Sequence, residues 1–156
     1  MLVYEPKGKM TFQSNPEIIR WKLHLKSPPE TVFEKLSSNE GRAAFWAESA
    51  IEQNGVIHFV FPNQAEWKGK ILENDPPRKF KVEYYGGSIT TFELTSDGAG
   101  GTDLTLTDQG VPSEDRVEAL PGWVSVLMAL KASVDFGVDL RNHDPIRTWD
   151  EGYAEN

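Results

Sequence analysis

Apolar residues recur along the chain at two periods, and the change from one to the other outlines a fold. From Ile18 to Lys26, Ile19, Trp21, Leu23 and Leu25 alternate with Arg20, Lys22, His24 and Lys26, the period of a strand with one wet face. His24 is thereby turned to solvent. Ser27-Pro28-Pro29-Glu30 ends that strand and predicts a helix, with Ser27 placed to cap it, the prolines suited to its first turn and Val32, Phe33 and Leu36 on its apolar face. A second short helix, from about Glu40 to Trp46, follows the Ser38-Asn39 turn.

Strand periods then return in a series of hairpins. Glu48 to Gln53 turns through Asn54-Gly55 into Val56 to Phe61, the strongest short-range hairpin signal in the chain. Pro62-Asn63 leads into Ala65 to Glu73, where Ala65, Trp67, Gly69 and Ile71 share a face. After Asn74-Asp75-Pro76-Pro77, Phe80, Val82 and Tyr84 alternate with Lys81, Glu83 and Tyr85. Gly86-Gly87 returns the chain into Ile89 to Thr95, with Phe92 and Leu94 on one side. Asp97 to Gly101 forms the last hairpin loop, and Thr102, Leu104, Leu106 and Asp108 then share a face. Turns this short make neighbouring strands antiparallel.

The helical period reappears near the end. Leu120, Trp123, Leu127, Leu130 and Val134 form one stripe in an apolar stretch from Val117 to Val138, about 22 residues and roughly 33 Å at helical rise. Ser113 is a candidate N-cap, and Gly137 or Asn142 a candidate stop. Pro121 lacks an amide hydrogen, so a kink or restart is expected there, with Pro121 in the first turn of the main helix. The order is one strand, two helices, about six hairpin-linked strands and one long helix. An antiparallel sheet with helices segregated onto it is an α+β architecture.

Size and charge narrow the class. The 156 residues suit a single domain spanning 1–156. Residues 1–16 read as a leader or edge strand. The segment 139–156 reads as an acidic, largely solvated tail, which Trp149 and Tyr153 are expected to dock in part onto the body. The absence of cysteine excludes disulfides, thiolate metal sites and a thiol nucleophile. Sixteen basic against twenty-four acidic residues give a net charge of −8, the wrong sign for a phosphate backbone or an anionic membrane. No signal-peptide pattern and no run approaching eighteen apolar residues is present, so the expected location is the cytoplasm. Nucleic-acid and membrane partners are not expected.

The ordered motifs resemble a known family. Three stretches carry the likeness: Ser27-Pro28-Pro29-Glu30-Thr31-Val32-Phe33 followed by Phe45-Trp46; Gly69 to Glu73 with Asp75-Pro76-Pro77-Arg78-Lys79-Phe80; and Gly101 to Thr107 followed by Gly122-Trp123 and 127–130. Spread over about 18–138, they resemble the SRPBCC superfamily, which holds START-like lipid binders, pollen-allergen-like proteins and polyketide cyclases. The closest likeness is to the branch of homologues of the activator of the heat-shock protein 90 ATPase. The resemblance implies a helix-grip fold, a curved antiparallel sheet around a long C-terminal helix with two short helices after the first strand. It leaves function open. Two positions depart from the family pattern: members often carry a histidine where this chain has Asp108, and Ala47 replaces the second tryptophan of the short helix, which is expected to widen the pocket mouth.

In such a fold a tunnel runs between sheet and helix. Its candidate ligand-binding residues are Trp46, Phe59, Trp67, Tyr84, Phe92, Leu104, Leu106, Asp108, Trp123, Leu127 and Leu130. Each could equally fill a solid core; a hydrophobic or amphipathic small molecule is the expected partner of the set. Asp108, Tyr84 and His58 are the candidates for catalytic chemistry. Asp108 shares a face with Leu104 and Leu106 and either orients a ligand, acts as acid or base, or binds a turn amide or water. Tyr84 offers a hydroxyl to a ligand or to a core hydrogen bond, and His58 is a catalytic group or a half-exposed strand residue. Glu73 and Arg78 flank a turn and are placed to pair at the surface. His24, His58 and His143 lie on separate elements without ligand spacing, so no metal or other cofactor is expected. The glycines of 98–101 precede a strand, not a phosphate-binding helix. The alternatives to ligand binding are an enzyme of the polyketide cyclase or hydrolase kind and a chaperone-associated protein-binding module. The edge of an open sheet leaves a homodimer open.

Overall fold

The computed structural model describes Gln13 and residues 15–156, so most of the expected leader lies outside the described residues. In chain order the elements are β1 (Ile18–Leu25), α1 (Pro29–Ser37), α2 (Asn39–Ala43), β2 (Ser49–Gln53), β3 (Val56–Val60), β4 (Glu66–Asp75), β5 (Lys79–Glu83), β6 (Ile89–Ser96), β7 (Thr102–Gln109) and α3 (Arg116–Phe136). The strands form one curved antiparallel sheet in the order β1-β7-β6-β5-β4-β3-β2. The first strand thus pairs with the last, and β1 and β2 are the edges. Inward positions of neighbouring strands fall in register, as with Trp21 and Phe92 on either side of Leu106. That alignment gathers Ile19, Phe80, Val82, Phe92, Leu104 and Leu106 onto one face, where α1 and α3 bury them completely.

Helix α3 runs alongside β1 in the same direction, held by polar ties spread along its length. The Trp21 indole donates to Leu120 O at 3.0 Å, Lys131 Nζ to His24 O at 2.6 Å, and the amide of Ser27 to the Asp135 carboxylate at 3.1 Å. Trp123, Leu127 and Leu130 face the sheet, as their spacing predicts. By length and composition alone α3 could also span a membrane. Here its inner stripe covers the sheet.

Several local expectations are corrected. Ser27 does not cap α1: Pro28 holds the N-cap position, and the Ser27 hydroxyl turns instead to Asp135 Oδ1 at 2.8 Å. Helix α2 ends at Ala43, short of Trp46, because the amides of Phe45 and Trp46 both return to Arg42 O. Asp115, not Ser113, holds the N-cap of α3, and Pro121 lies inside the helix rather than in its first turn. Gly137 stops the helix at φ 66°, a left-handed conformation that glycine adopts without steric cost. Glu73 and Arg78 do not pair with each other; Arg78 reaches Asp75 at 2.9 Å and Glu73 reaches Lys79 at 3.3 Å.

Candidate functional site

The interior between sheet and helix is closed by one aromatic cluster. Trp46, brought inward by the turn after α2, is 2 % exposed. Its ring centroid lies 4.9 Å from Phe59, 5.3 Å from Phe92, 5.6 Å from Tyr84 and 6.0 Å from Trp123. Its indole N–H donates to Tyr84 Oη at 2.9 Å, satisfying the polar atom that burial would otherwise strand. Leu104, Leu106, Leu127 and Leu130 are buried around it. The expected tunnel is therefore filled along this part of the helix. Trp46, Phe59, Phe92, Leu104, Leu106, Leu127 and Leu130 belong to the packed core and do not line the cavity described next.

Beyond this plug, where β7 ends and α3 begins, a cavity of about 500 Å³ remains. That volume suits a small ligand. Four of the predicted residues, Trp67, Tyr84, Asp108 and Trp123, line it. Alternation along β4 and β7 brings Trp67 and Asp108 inward, the residue just past β5 continues its alternation and brings Tyr84, and the stripe of α3 brings the fourth. The remaining walls come from Phe61, the turn residues Tyr85 and Ser88, Val111 and Pro112 after β7, the outset of α3, and the tail residues Trp149, Asp150 and Asn156. Gly122 also faces this space: a Cβ added there meets no atom within 4 Å.

Asp108 is the polar centre of the wall. Its residue is 3 % exposed, and register places it between Ile19 of β1 and Thr90 of β6. Trp123 Nε1 donates to its Oδ2 at 2.8 Å and Thr90 Oγ1 to its Oδ1 at 3.1 Å. Burial raises its pKa above the ordinary carboxylate value, while hydrogen bonds from Trp123, Ser88 and Thr90 oppose that rise. Burial likewise raises the Tyr84 phenol. Trp67 differs. Its indole N–H is buried and has no hydrogen-bond partner among the described residues.

The tail forms part of the site. Arg141 donates to Ala47 O at 2.8 Å and Ala43 O at 2.6 Å, fixing the tail to the end of α2. Ala47 is thus buried in the core and does not widen a mouth. His143 lies between Glu48 at 2.8 Å and Asp139 at 2.6 Å, and these carboxylates raise its pKa. Farther on, Asn63 donates to Asp150 at 2.9 Å and Ser125 to Ala154 O at 2.6 Å. The chain between them crosses the cavity from the β3–β4 turn to α3. Trp149 docks, as its aromatic bulk suggests, and does so on the cavity wall.

His58 lies outside this region. It faces outward from β3, half-exposed, with Nε2 3.1 Å from Glu66. His24 also faces solvent and pairs with Asp97 at 2.9 Å. No group of three or more His, Cys, Asp or Glu residues able to hold a metal occurs among the described residues. The sequence reading missed Tyr85, Phe61, Ser88 and the acids at the start of α3. Ser88 was within its reach, because it precedes Thr90 and Phe92 on the inward register of β6.

The sheet order, the two short helices after β1 and the long helix on the concave face define a helix-grip protein of the SRPBCC superfamily. The profile of the family described as "Activator of Hsp90 ATPase homolog 1-like protein" matches residues 26–135, and the chain belongs to that family. A comparison with curated proteins gives no match. Among solved structures, the protein SSP2350 from Staphylococcus saprophyticus is 27% identical over 80% of this chain and 96% of its own, with a TM-score of 0.68. The Aha1 dimer from Colwellia psychrerythraea is similar at 18% identity, over 77% of this chain and 97% of that chain, with a TM-score of 0.69. DynU16, a protein in the dynemicin biosynthetic locus, is 18% identical over 79% of this chain and 49% of its own, with a TM-score of 0.66.

Proposed function

We propose that the chain binds a hydrophobic or amphipathic small molecule in the cavity at the start of α3. The observation that carries this reading is the cavity of about 500 Å³ at the outset of α3, walled largely by aromatic side chains. Asp108 and Tyr84 act as supports of the wall, each accepting an indole N–H. The reading is of binding without turnover.

A plug tests it. Gly122→Phe places a ring in open space from a helical position, where exchanging glycine for another residue relieves backbone entropy. Native mass spectrometry of the protein from its own host is expected to show a bound small molecule that the plugged variant lacks, with unfolding temperature maintained. Equal ligand occupancy in both proteins, or none in either, would remove the proposal.

A further inference from the structure

The cavity carries charge of one sign. Among its lining residues are the carboxylates Asp108, Glu114, Asp115, Glu118 and Asp150, and no lysine, arginine or histidine. Arg116, the cation within that sequence stretch, is turned away: its guanidinium donates to Pro16 O at 3.1 Å and Ile18 O at 2.8 Å. The rings that complete the wall are Phe61, Trp67, Tyr84, Tyr85, Trp123 and Trp149. Several meet closely, with centroids 4.5 Å apart for Phe61 and Trp67, 5.0 Å for Trp67 and Tyr85, and 5.1 Å for Tyr84 and Trp123.

Ring faces carry negative potential, so a chamber of aromatics attracts a weakly hydrated cation. Carboxylates at its rim add to that attraction and repel anions. The geometry points to an organic cation, an amine or quaternary ammonium carrying an apolar group, as the ligand class of this cavity. Fatty acids, acyl phosphates and other anionic amphiphiles are the class it rejects. The inference rests on the binding reading above and adds the sign of the guest. It also divides the work of the wall: rings surround the head and rim acids set its charge.

Three probes with one benzyl group and a tetrahedral head of different charge test it: benzyltrimethylammonium, neopentylbenzene and phenylmethanesulfonate. Affinities are read by tryptophan fluorescence on the full chain at low salt. Benzyltrimethylammonium is expected to bind at least about tenfold tighter than the neutral isostere, and the sulfonate at least about tenfold weaker. High salt should narrow the spread, because the rim acids are solvent-accessible and screened. The paired substitution Asp115→Asn and Glu118→Gln should cut the cation preference several-fold and leave neopentylbenzene unchanged. Folding should survive, since the Asp115 side chain makes no capping bond. Equal affinity for cation and neutral probe, tighter binding of the sulfonate, or a cation preference that persists in Gly122→Phe would overturn the assignment and leave the binding reading standing. Absence of binding by all three, together with no bound molecule in the host-purified protein, would remove both.

Discussion

Substitutions at Asp108 separate the charge of this carboxylate from its hydrogen bonds, and the two contribute with opposite sign. The buried oxygens accept from Trp123 Nε1 at 2.8 Å and Thr90 Oγ1 at 3.1 Å. Asp108→Ala removes both acceptors. The Thr90 hydroxyl can rotate to another partner, but the indole N–H is rigid and stays orphaned. One orphaned donor costs about 1–3 kcal/mol, and the lost atoms leave a small void, so the variant should lose about 2–4 kcal/mol. Asp108→Asn keeps an oxygen for Trp123 and presents an amide that can donate to the Thr90 or Ser88 hydroxyl. It should lie within about 1 kcal/mol of the parent.

The pH dependence follows from the direction of the Asp108 shift. Its folded pKa is raised by burial above the usual value of 3.8. The stability it contributes is therefore complete below that usual value and is lost as pH rises through the folded pKa. Asn carries no such dependence. Urea unfolding followed by near-ultraviolet circular dichroism should then show Asp108→Asn gaining on the parent as pH rises. Taking the difference between the two proteins cancels Asp97, Asp139 and Asp144, whose pKa values are lowered and whose contributions are instead lost as pH falls. An Asn variant as unstable as the Ala variant at pH 8, or a difference flat in pH, would refute the account of a desolvated carboxylate held by the indole.

Three further outcomes are expected. Gly69→Ala would bring a Cβ to 1.9 Å from Glu83 O, forcing β4 and β5 apart beside Tyr84; a loss of about 3 kcal/mol or more in denaturant unfolding is expected, and a neutral effect would contradict that contact. Arg42 is fully buried, donates to Ala50 O and Leu36 O at 3.0 Å and Asn39 Oδ1 at 2.6 Å, and has its pKa lowered to about 10 by burial; Arg42→Ala should cost about 3 kcal/mol, with Arg42→Lys a poor rescue because one ammonium cannot span three acceptors. Glu48 and Asp139 raise His143, with Arg141 opposing them, so the docking it supports is complete below the usual histidine pKa of 6.5 and is lost as pH rises through the folded value; hydrogen-exchange protection in 143–156, taken relative to the intrinsic base-catalysed rate at each pH, should fall over that range, and His143→Gln should abolish the fall.

The fold was legible because each strand that carries it has one buried and one wet face. In β1, β5, β6 and β7 the period of two names the inward residues, and the hairpin loops permit little besides antiparallel neighbours. Capping was less legible, since Ser27 and Ser113 have the right chemistry for a cap. The choice went to tertiary partners: Asp135 takes the Ser27 hydroxyl, and Pro28 can enter the helix without an amide to satisfy.

The site was half legible for a related reason. Periodicity assigns a side chain to a face but carries no coordinate along that face. Trp46, Phe92 and Leu127 share the inward side with Trp67, Tyr84 and Trp123, yet the first set is packed core and the second lines open space. Their separation depends on where aromatic volume accumulates: Trp46 fills the middle of the grip, and the space left lies at the outset of α3, where Gly122 contributes no side chain. The tail then supplies the remaining wall through residues distant in sequence from everything they cover, tied by Asn63 to Asp150 and by Ser125 to Ala154. No local pattern encodes such a closure. The charge of the chamber comes from the same convergence, because Asp108, the acids opening α3 and Asp150 belong to three separate stretches whose carboxylates share one cavity only after folding.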